Sequence, residues 1–321
     1  MNFRMAGFLI ALLVGVASWV LTCAAWQFDQ VAEGVRPLDP RQFERFTVVT
    51  LGTAGMAEDH NRRGTSIAAG QGADVVLVDA GRGLAEALRA ATVPVSQPNT
   101  LLVTALLPEN LVGLDDWLSA AWLAGRQEPI RIVGPPGIGE IAQAAAQVVS
   151  RGVTARAEAL GLPAPSPRFE VVEAEDGWEG SEGALSFTAI GLDGGPVPSL
   201  AWQLRAGDRR AVVGGVGWGL EALEEAARGA HLLVHDAARV PTPEEATDLG
   251  IDLDPELLER EAALLTEYRE VGSLARRAEV PVLALVRLRP PPVLDLQVTL
   301  EIADHYDGRV IIAEDGDEFT P

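Results

Sequence analysis

Apolar positions fall along this chain in two rhythms. Runs of four to seven consecutive hydrophobics mark strands buried on both faces, and apolar residues spaced three and four apart mark helices. Arg45-Phe46-Thr47-Val48-Val49-Thr50-Leu51-Gly52 predicts a strand closed by a glycine turn. RGTSIAAGQGADVVLVDAGRG predicts two strands around a Gly-rich hairpin, with Asp79 ending the second, and GLAEALRAA predicts a short helix. NTLLVTALL is a buried strand running into Thr104–Asn110 (TALLPEN), followed by the helical LVGLDDWLSAAWLAG. EPIRIVGPPG reads as strand and turn, and IGEIAQAAAQVVSRG as another helix. From Arg168 to Leu204 the pattern becomes sheet-like: FEVVEAEDGWEG, GALSFTAIGLDGG and SLAWQLRAG read as strands joined by turns, with Trp178 in a surface turn. RRAVVGGVGWG, AHLLVHDAA and VPVLALVRL predict further strands. The helix EALEEAARG and a long helix or helix pair over Glu256–Ala278 separate them. LDLQVTLEIADHYDG predicts a helix, and RVIIAEDGDEF a closing strand or hairpin. Strands and helices mixed through both halves fit helices flanking two packed sheets better than one open parallel sheet.

Composition narrows this picture. The 321 residues are 48% hydrophobic and 22% charged, enough to bury a full core. All basic residues are arginines, and the formal charge of −21 argues against broad contact with nucleic-acid phosphate. The single cysteine, Cys23, excludes an intramolecular disulfide and a multi-cysteine zinc site.

Met5–Trp26 carries no charge over 22 residues, long enough as a helix to cross about 30 Å of hydrocarbon. Arg4 before it favours a cytoplasmic N-terminus. Residues 1–26 are therefore expected to be a single-pass anchor in a bacterial inner membrane, with residues 27–43 a linker and residues 44–321 one domain facing the periplasm or exterior. Cleavage after the small residues near Cys23 would instead release a periplasmic or secreted domain. Lipidation at Cys23 is a third route, although VLTC matches that signal poorly.

The order TVVTLGTAG, RRGTSIAAG, VVLVDAGRG, LLVTALLPENLVGL, IRIVGPPG, FTAIGLDGGPVPSLAWQL, AVVGGVGWG, HLLVHDAA, VPVLALVRL and VIIAEDG resembles the metallo-β-lactamase superfamily, in its ribonuclease Z and arylsulfatase-like branch. The resemblance covers about residues 44–321 and implies a four-layer αββα sandwich of α/β (α+β) class, here preceded by an N-terminal hydrophobic helix. It also implies one or two zinc ions in a cleft at the sheet edges, held largely by histidines. Carried over, the first motif falls on Ala105, Leu107, Glu109 and Asn110 after Thr104, and the later ligands fall on Gly194, Val216, Leu264 and Arg287. Zinc takes imidazole, thiolate or carboxylate, which these positions lack apart from Glu109. His60, His231, His235 and His305 fall elsewhere.

Of the remaining residues, Asp79 is expected to accept hydrogen bonds from the Gly52 and Gly81 turns, or to line a pocket. His235 and Asp236 in HLLVHDAA resemble the superfamily's His-Glu-Ala element with Asp in place of Glu, His235 being expected as a satisfied strand-end histidine or a pocket residue, and His231 and His305 read as surface residues. Arg287 is expected to pair with Glu109 in the emptied cleft, or, with Arg62 and Arg63, to face an anion. No serine has the context of a nucleophile elbow. The expectation is therefore a catalytically degenerate, metal-free and cofactor-free domain that binds or scaffolds at the outer face of the membrane. Its pocket candidates are Asp79, Glu109, His235, Asp236 and Arg287. Its expected partners are the bilayer and an unidentified protein or small anionic ligand, not nucleic acid. The alternative is a divergent, zinc-dependent hydrolase of a phosphoester or other ester.

Overall fold

A computed structural model describes residues 12–27, 36–55, 61–161, 169–239, 241–248, 250, 254–290 and 295–321. The chain divides into two compact units, Met1–Asp39 and Pro40–Pro321. In the first, residues 12–27 form a helix, α1, with mostly exposed side chains. Residues 1–11 of the expected anchor lie outside the described residues. Among those described, no helix is long and apolar enough to cross a membrane.

The second unit holds two seven-stranded sheets. Along the first half of the chain run β1 (Phe43–Gly52), β2 (Ser66–Gly72), β3 (Asp74–Val78), α2 (Leu84–Ala90), β4 (Thr100–Leu102), α3 (Pro108–Leu111), α4 (Leu114–Leu123), β5 (Ile130–Gly134), α5 (Ile138–Ala159) and β6 (Phe169–Glu173). Then come β7 (Glu179–Glu182), β8 (Leu185–Gly191), β9 (Leu200–Ala206), β10 (Arg209–Val213), α6 (Leu220–Ala227), β11 (Leu232–Ala238), α7 (Pro243–Asp248), α8 (Pro255–Ala262), α9 (Tyr268–Arg277), β12 (Val282–Arg289), α10 (Asp295–Ala303), β13 (Arg309–Ile312) and β14 (Glu318–Phe319). The first sheet has the order β14-β1-β2-β3-β4-β5-β6 and the second β13-β12-β11-β10-β9-β8-β7. Each is antiparallel at one side and parallel at the other: β3 to β6 run parallel in the first, β10 to β13 in the second.

Side-chain alternation builds the layers. In β3, Val75 and Leu77 join a cluster with Leu88, Trp117, Leu118 and Ile138 under the helices, while Val76 and Val78 join Phe187, Trp202, Val234 and Val286 between the sheets. A strand covered on both faces reads as one unbroken apolar run. The second sheet's outer face packs Leu233, Leu283 and Leu285 on Leu223, Val271, Leu274 and Ile302 of its helices. Helix α4 buries Leu114, Trp117, Leu118, Ala121 and Trp122, a single stripe at helical spacing. The expected four-layer αββα sandwich is thus present.

One local expectation changes, and two that were left open are resolved. Trp178 is not a surface-turn residue: its ring lies 6.1 Å from Phe187 and 6.2 Å from Trp202, closing the end of the inter-sheet core. The stretch Glu256–Ala278 is two helices, α8 and α9. The closing segment is not a hairpin, because β13 pairs with β12 in one sheet and β14 with β1 in the other.

Candidate functional site

The carboxyl ends of parallel strands are where an α/β sheet opens toward ligands, and here β3, β4, β10, β11 and β12 bring their ends to one edge. TALLPEN leaves β4 and turns into α3, whose first residue is Pro108, a position where no backbone donor is needed. The turn is tied to the end of β3, since Ala80 N donates to Asn110 O at 2.7 Å and Gly113 N to Ala80 O at 2.8 Å.

That tie brings Thr104 and Asn110 onto Asp79. Thr104 donates from its backbone N at 2.8 Å to one carboxylate oxygen and from Oγ1 at 2.7 Å to the other. Asn110 Nδ2 donates to the second oxygen at 2.7 Å and to Thr104 Oγ1 at 2.8 Å. Asp79 has a left-handed backbone, φ 61°, which Asp and Asn adopt more readily than most residues. Burial pushes its carboxyl up from the usual range, against the pull of the Arg287 charge and of the Thr104 and Asn110 hydrogen bonds. Asp79 is buried and paired, as expected, but its partners are Thr104 and Asn110 and not the Gly52 and Gly81 turns. Gly81 N instead donates to Ser66 Oγ at 2.8 Å. The sequence signal for this network was a threonine and an asparagine six positions apart across a turn.

The second sheet approaches from the other side. A Cβ on Gly215 would stand 2.5 Å from Thr104 Oγ1, and one on Gly214 would stand 2.4 Å from His235 Nδ1. Both glycines are required by that closeness. Arg287, with φ 50°, donates through Nη2 to Gly215 O and from its backbone N to Thr53 O at 2.7 Å. Its charge is felt by Asp79 and by His235. No ion pair joins Arg287 to Glu109 among the described residues. Glu109 sits half-buried on α3, and Asp79 is the carboxylate that feels the guanidinium charge.

His235 is fully buried in β11. Its Nε2 lies 3.1 Å from Thr266 Oγ1, and Nδ1 lies 3.2 Å from Asp236 Oδ1 without forming a hydrogen bond. Burial lowers its pKa and the Arg287 charge lowers it further, while Asp236 raises it. His235 is accordingly a neutral imidazole at pH 7. Thr266 as its partner had no signal in the sequence. Among buried polar atoms left without a hydrogen-bond partner, Asn110 Oδ1, His235 Nδ1 and Asp236 Oδ1 all belong to this cluster.

The carried-over ligand positions tell a different story. Ala105 and Val216 are buried in one apolar cluster with Leu285 and Trp218, and Leu107 packs against it. Gly194 is an exposed turn residue with φ 93°, and Leu264 is exposed. Among the described residues no three His, Cys, Asp or Glu side chains group closely enough to hold a metal ion. His60 lies outside the described residues. Of the five pocket candidates, Asp79, His235, Asp236 and Arg287 share the edge, and Glu109 stands apart from Arg287's pairing. A separate recess of about 460 Å³ is lined by Arg62, Arg63 and Arg82 with Glu86 and Asp116, and Arg63 lies 3.8 Å from Glu86 and 3.7 Å from Asp315.

No family model matches the chain. It is 30% identical over 249 residues to a ribonuclease Z of Mycobacterium sp. (strain KMS), covering 76% of this chain and 84% of that protein. With a ribonuclease Z of Mycobacterium bovis (strain BCG / Pasteur 1173P2) it shares 26% identity over 275 residues, 84% of this chain and 95% of the relative. Among solved structures, the metallo-β-lactamase fold protein YhfI of Bacillus subtilis superposes with a TM-score of 0.66 at 16% identity, over 85% of this chain and 98% of YhfI. The short form of human tRNase Z superposes at 0.58 and 16%, over 86% and 99%.

Proposed function

Because the chain belongs to the ribonuclease Z branch of the metallo-β-lactamase superfamily, we propose that it is a ribonuclease Z-like hydrolase of a phosphoester. The cleft where β3, β4, β10, β11 and β12 end is its working site. The observation that carries this reading is the 30% identity to a ribonuclease Z across 84% of that protein's length. It overturns the expectation of a catalytically degenerate domain that only binds or scaffolds. The expectation of a chain without a cofactor falls with it, since the resemblance to this superfamily brings zinc.

The described residues do not fit zinc at the family's own positions. Ala105, Leu107, Gly194, Val216 and Leu264 offer no side-chain donor, Arg287 brings a cation, the orphaned Asn110 Oδ1 is a single weak acceptor, and Glu109 is one carboxylate with no second or third ligand grouped with it among the described residues. No step is therefore assigned to a metal. The chain's own groups supply a neutral, buried imidazole at His235, beside the Asp236 carboxylate at 3.2 Å, and a fixed positive charge at Arg287. A neutral imidazole can take or give a proton, and a preorganised guanidinium can stabilise negative charge developing on a phosphoryl oxygen. Attachment to a bilayer through Met5–Trp26, with the domain on the outer side, is part of the same proposal; its support is the uncharged run behind Arg4.

The test is turnover of bis(p-nitrophenyl) phosphate and of a precursor tRNA by the purified full chain. It is run without added metal and with zinc or manganese. Turnover that falls by about 100-fold or more in His235→Ala supports the reading, in line with the usual worth of a proton-transferring side chain. Absence of turnover of both substrates under all three conditions overturns it.

A further inference from the structure

The opposite end of the sandwich holds a second recess, of about 440 Å³, where the amino-terminal ends of β11, β12 and β13 face the β14 segment of the other sheet. Its volume lies in the range of small-molecule sites. The apolar part of its lining includes Leu232, Ile311 and Phe319, and its polar part includes Arg209, His231 and Arg309.

The state of His231 follows from its neighbour. Arg210 N donates to His231 Nδ1 at 3.3 Å, so Nδ1 accepts and the neutral ring carries its proton on Nε2. An imidazole N–H donor is thus left for a guest. Arg309 makes no ion pair among the described residues, and Arg209 only a loose one, 3.8 Å from Asp208. The lining also holds two carboxylates, each with one oxygen already hydrogen-bonded. Asp317 Oδ2 accepts from Glu314 N at 2.9 Å, and Glu318 Oε1 accepts from Arg41 at 2.6 Å. Donors with an apolar floor select a ligand with one acidic head and a compact apolar body, because guanidinium binds carboxylate and phosphate through paired N–H groups.

We propose that this recess binds a small organic anion, a carboxylate or phosphate monoester carried on an apolar body. Arg209, Arg309 and His231 hold the head, and Leu232, Ile311 and Phe319 hold the body. The site is independent of the cleft, whose His235 and Arg287 lie toward the other ends of β11 and β12.

Isothermal titration of the full chain with 1-naphthoate and with 1-naphthyl phosphate tests it, with 1-naphthalenemethanol as the neutral counterpart. Saturable binding of at least one anion is expected, at least tenfold tighter than the alcohol. The better of the two anions identifies the head group. In the double variant Arg209→Ala/Arg309→Ala, both changes being at exposed side chains, the anion is expected to weaken at least tenfold with the melting temperature unchanged. Should that variant melt early, the single Arg309→Gln replaces it, with a threefold or greater weakening expected. No saturable binding up to millimolar concentration, or equal affinity in the folded variant, overturns the site.

Discussion

Replacing Asp79 by Asn tests whether the cleft rests on a carboxylate or merely on a side chain of that shape. Asn keeps the volume and tolerates the left-handed φ of 61°, so the backbone contributes little to the difference. What changes is hydrogen bonding. Asp79 accepts from Thr104 N, Thr104 Oγ1 and Asn110 Nδ2, and Oδ2 takes the last two. An amide oxygen in place of Oδ1 keeps one of the three, while an NH2 group in place of Oδ2 faces two donors. Thr104 Oγ1 can turn to accept, but Asn110 Nδ2 has only Thr104 Oγ1 left. Two charge-assisted bonds at about 1.5–3 kcal/mol each give a loss of about 3–6 kcal/mol. Removing the buried carboxylate relieves its desolvation, the effect that pushes its pKa up, and offsets part of that loss. Arg287 loses the negative charge beside it, which acts in the other direction. A net destabilisation of about 3 kcal/mol at pH 7 is expected, or a melting point lower by roughly 6–12 °C for a domain of this size. Urea unfolding gives the free energy directly, provided the slope is unchanged. A loss below about 1 kcal/mol would refute the network as the support of the cleft.

The imidazole of His235 gives a pH prediction. A histidine whose folded pKa is depressed contributes fully above its unfolded value near 6.5 and loses that contribution as pH falls through 6.5 toward the folded value. Unfolding free energy between pH 8 and 5 should therefore decline in the wild-type chain and decline less steeply in His235→Gln; parallel curves would place the pH dependence elsewhere. Gly113→Ala should destabilise by more than about 3 kcal/mol, because its Cβ would lie 1.9 Å from Gly81 O in backbone that cannot yield. Gly207→Ala, with open space but φ 61°, should cost about 1 kcal/mol. Equal melting temperatures for the two variants would contradict the packing of the β3 and α3 ends.

The strands that build the cleft were legible because they are buried on both faces. Leu77 and Val78, or Leu233 and Val234, point into different layers yet are equally apolar, so the run is continuous whichever way the register falls. The ends of those runs then located Asp79, Thr104, His235 and Arg287 at one edge. Pairing at long range was not legible. Nothing local says that β14 leaves β13 to pair with β1, a choice fixed by which sheet edge is open. The same limit explains Glu109. Its charge and position after Thr104 suggested a partner for Arg287, but which carboxylate meets a guanidinium depends on the height at which two sheets face each other. Trp178 was misread for a related reason, since its hydrophilic flanks describe the turn and not the core that the ring covers.

The position-by-position comparison with the superfamily leads to the strand edge where Asp79, Thr104, His235 and Arg287 meet, and the motif positions there are mostly apolar. Ala105 and Val216 are not vacant places on a surface; they are buried side chains of an apolar cluster that includes Leu285 and Trp218. A donor introduced singly at either place would enter that cluster without a partner and would cost the desolvation of a buried polar group. The polar groups this chain does present lie on neighbouring strands: His235 on β11, Arg287 on β12, and Asp79 at the end of β3. Parallel strands bring them to a common edge whatever occupies the motif positions. On the proposed reading, phosphoester turnover depends on His235 and Arg287. Ala105→His alone should leave it no faster, because one imidazole in an apolar pocket supplies one ligand of the three that a catalytic zinc ordinarily takes from protein. A rate gain in Ala105→His with zinc present, measured beside the unchanged chain, would show that the remaining donors already stand within reach of that position.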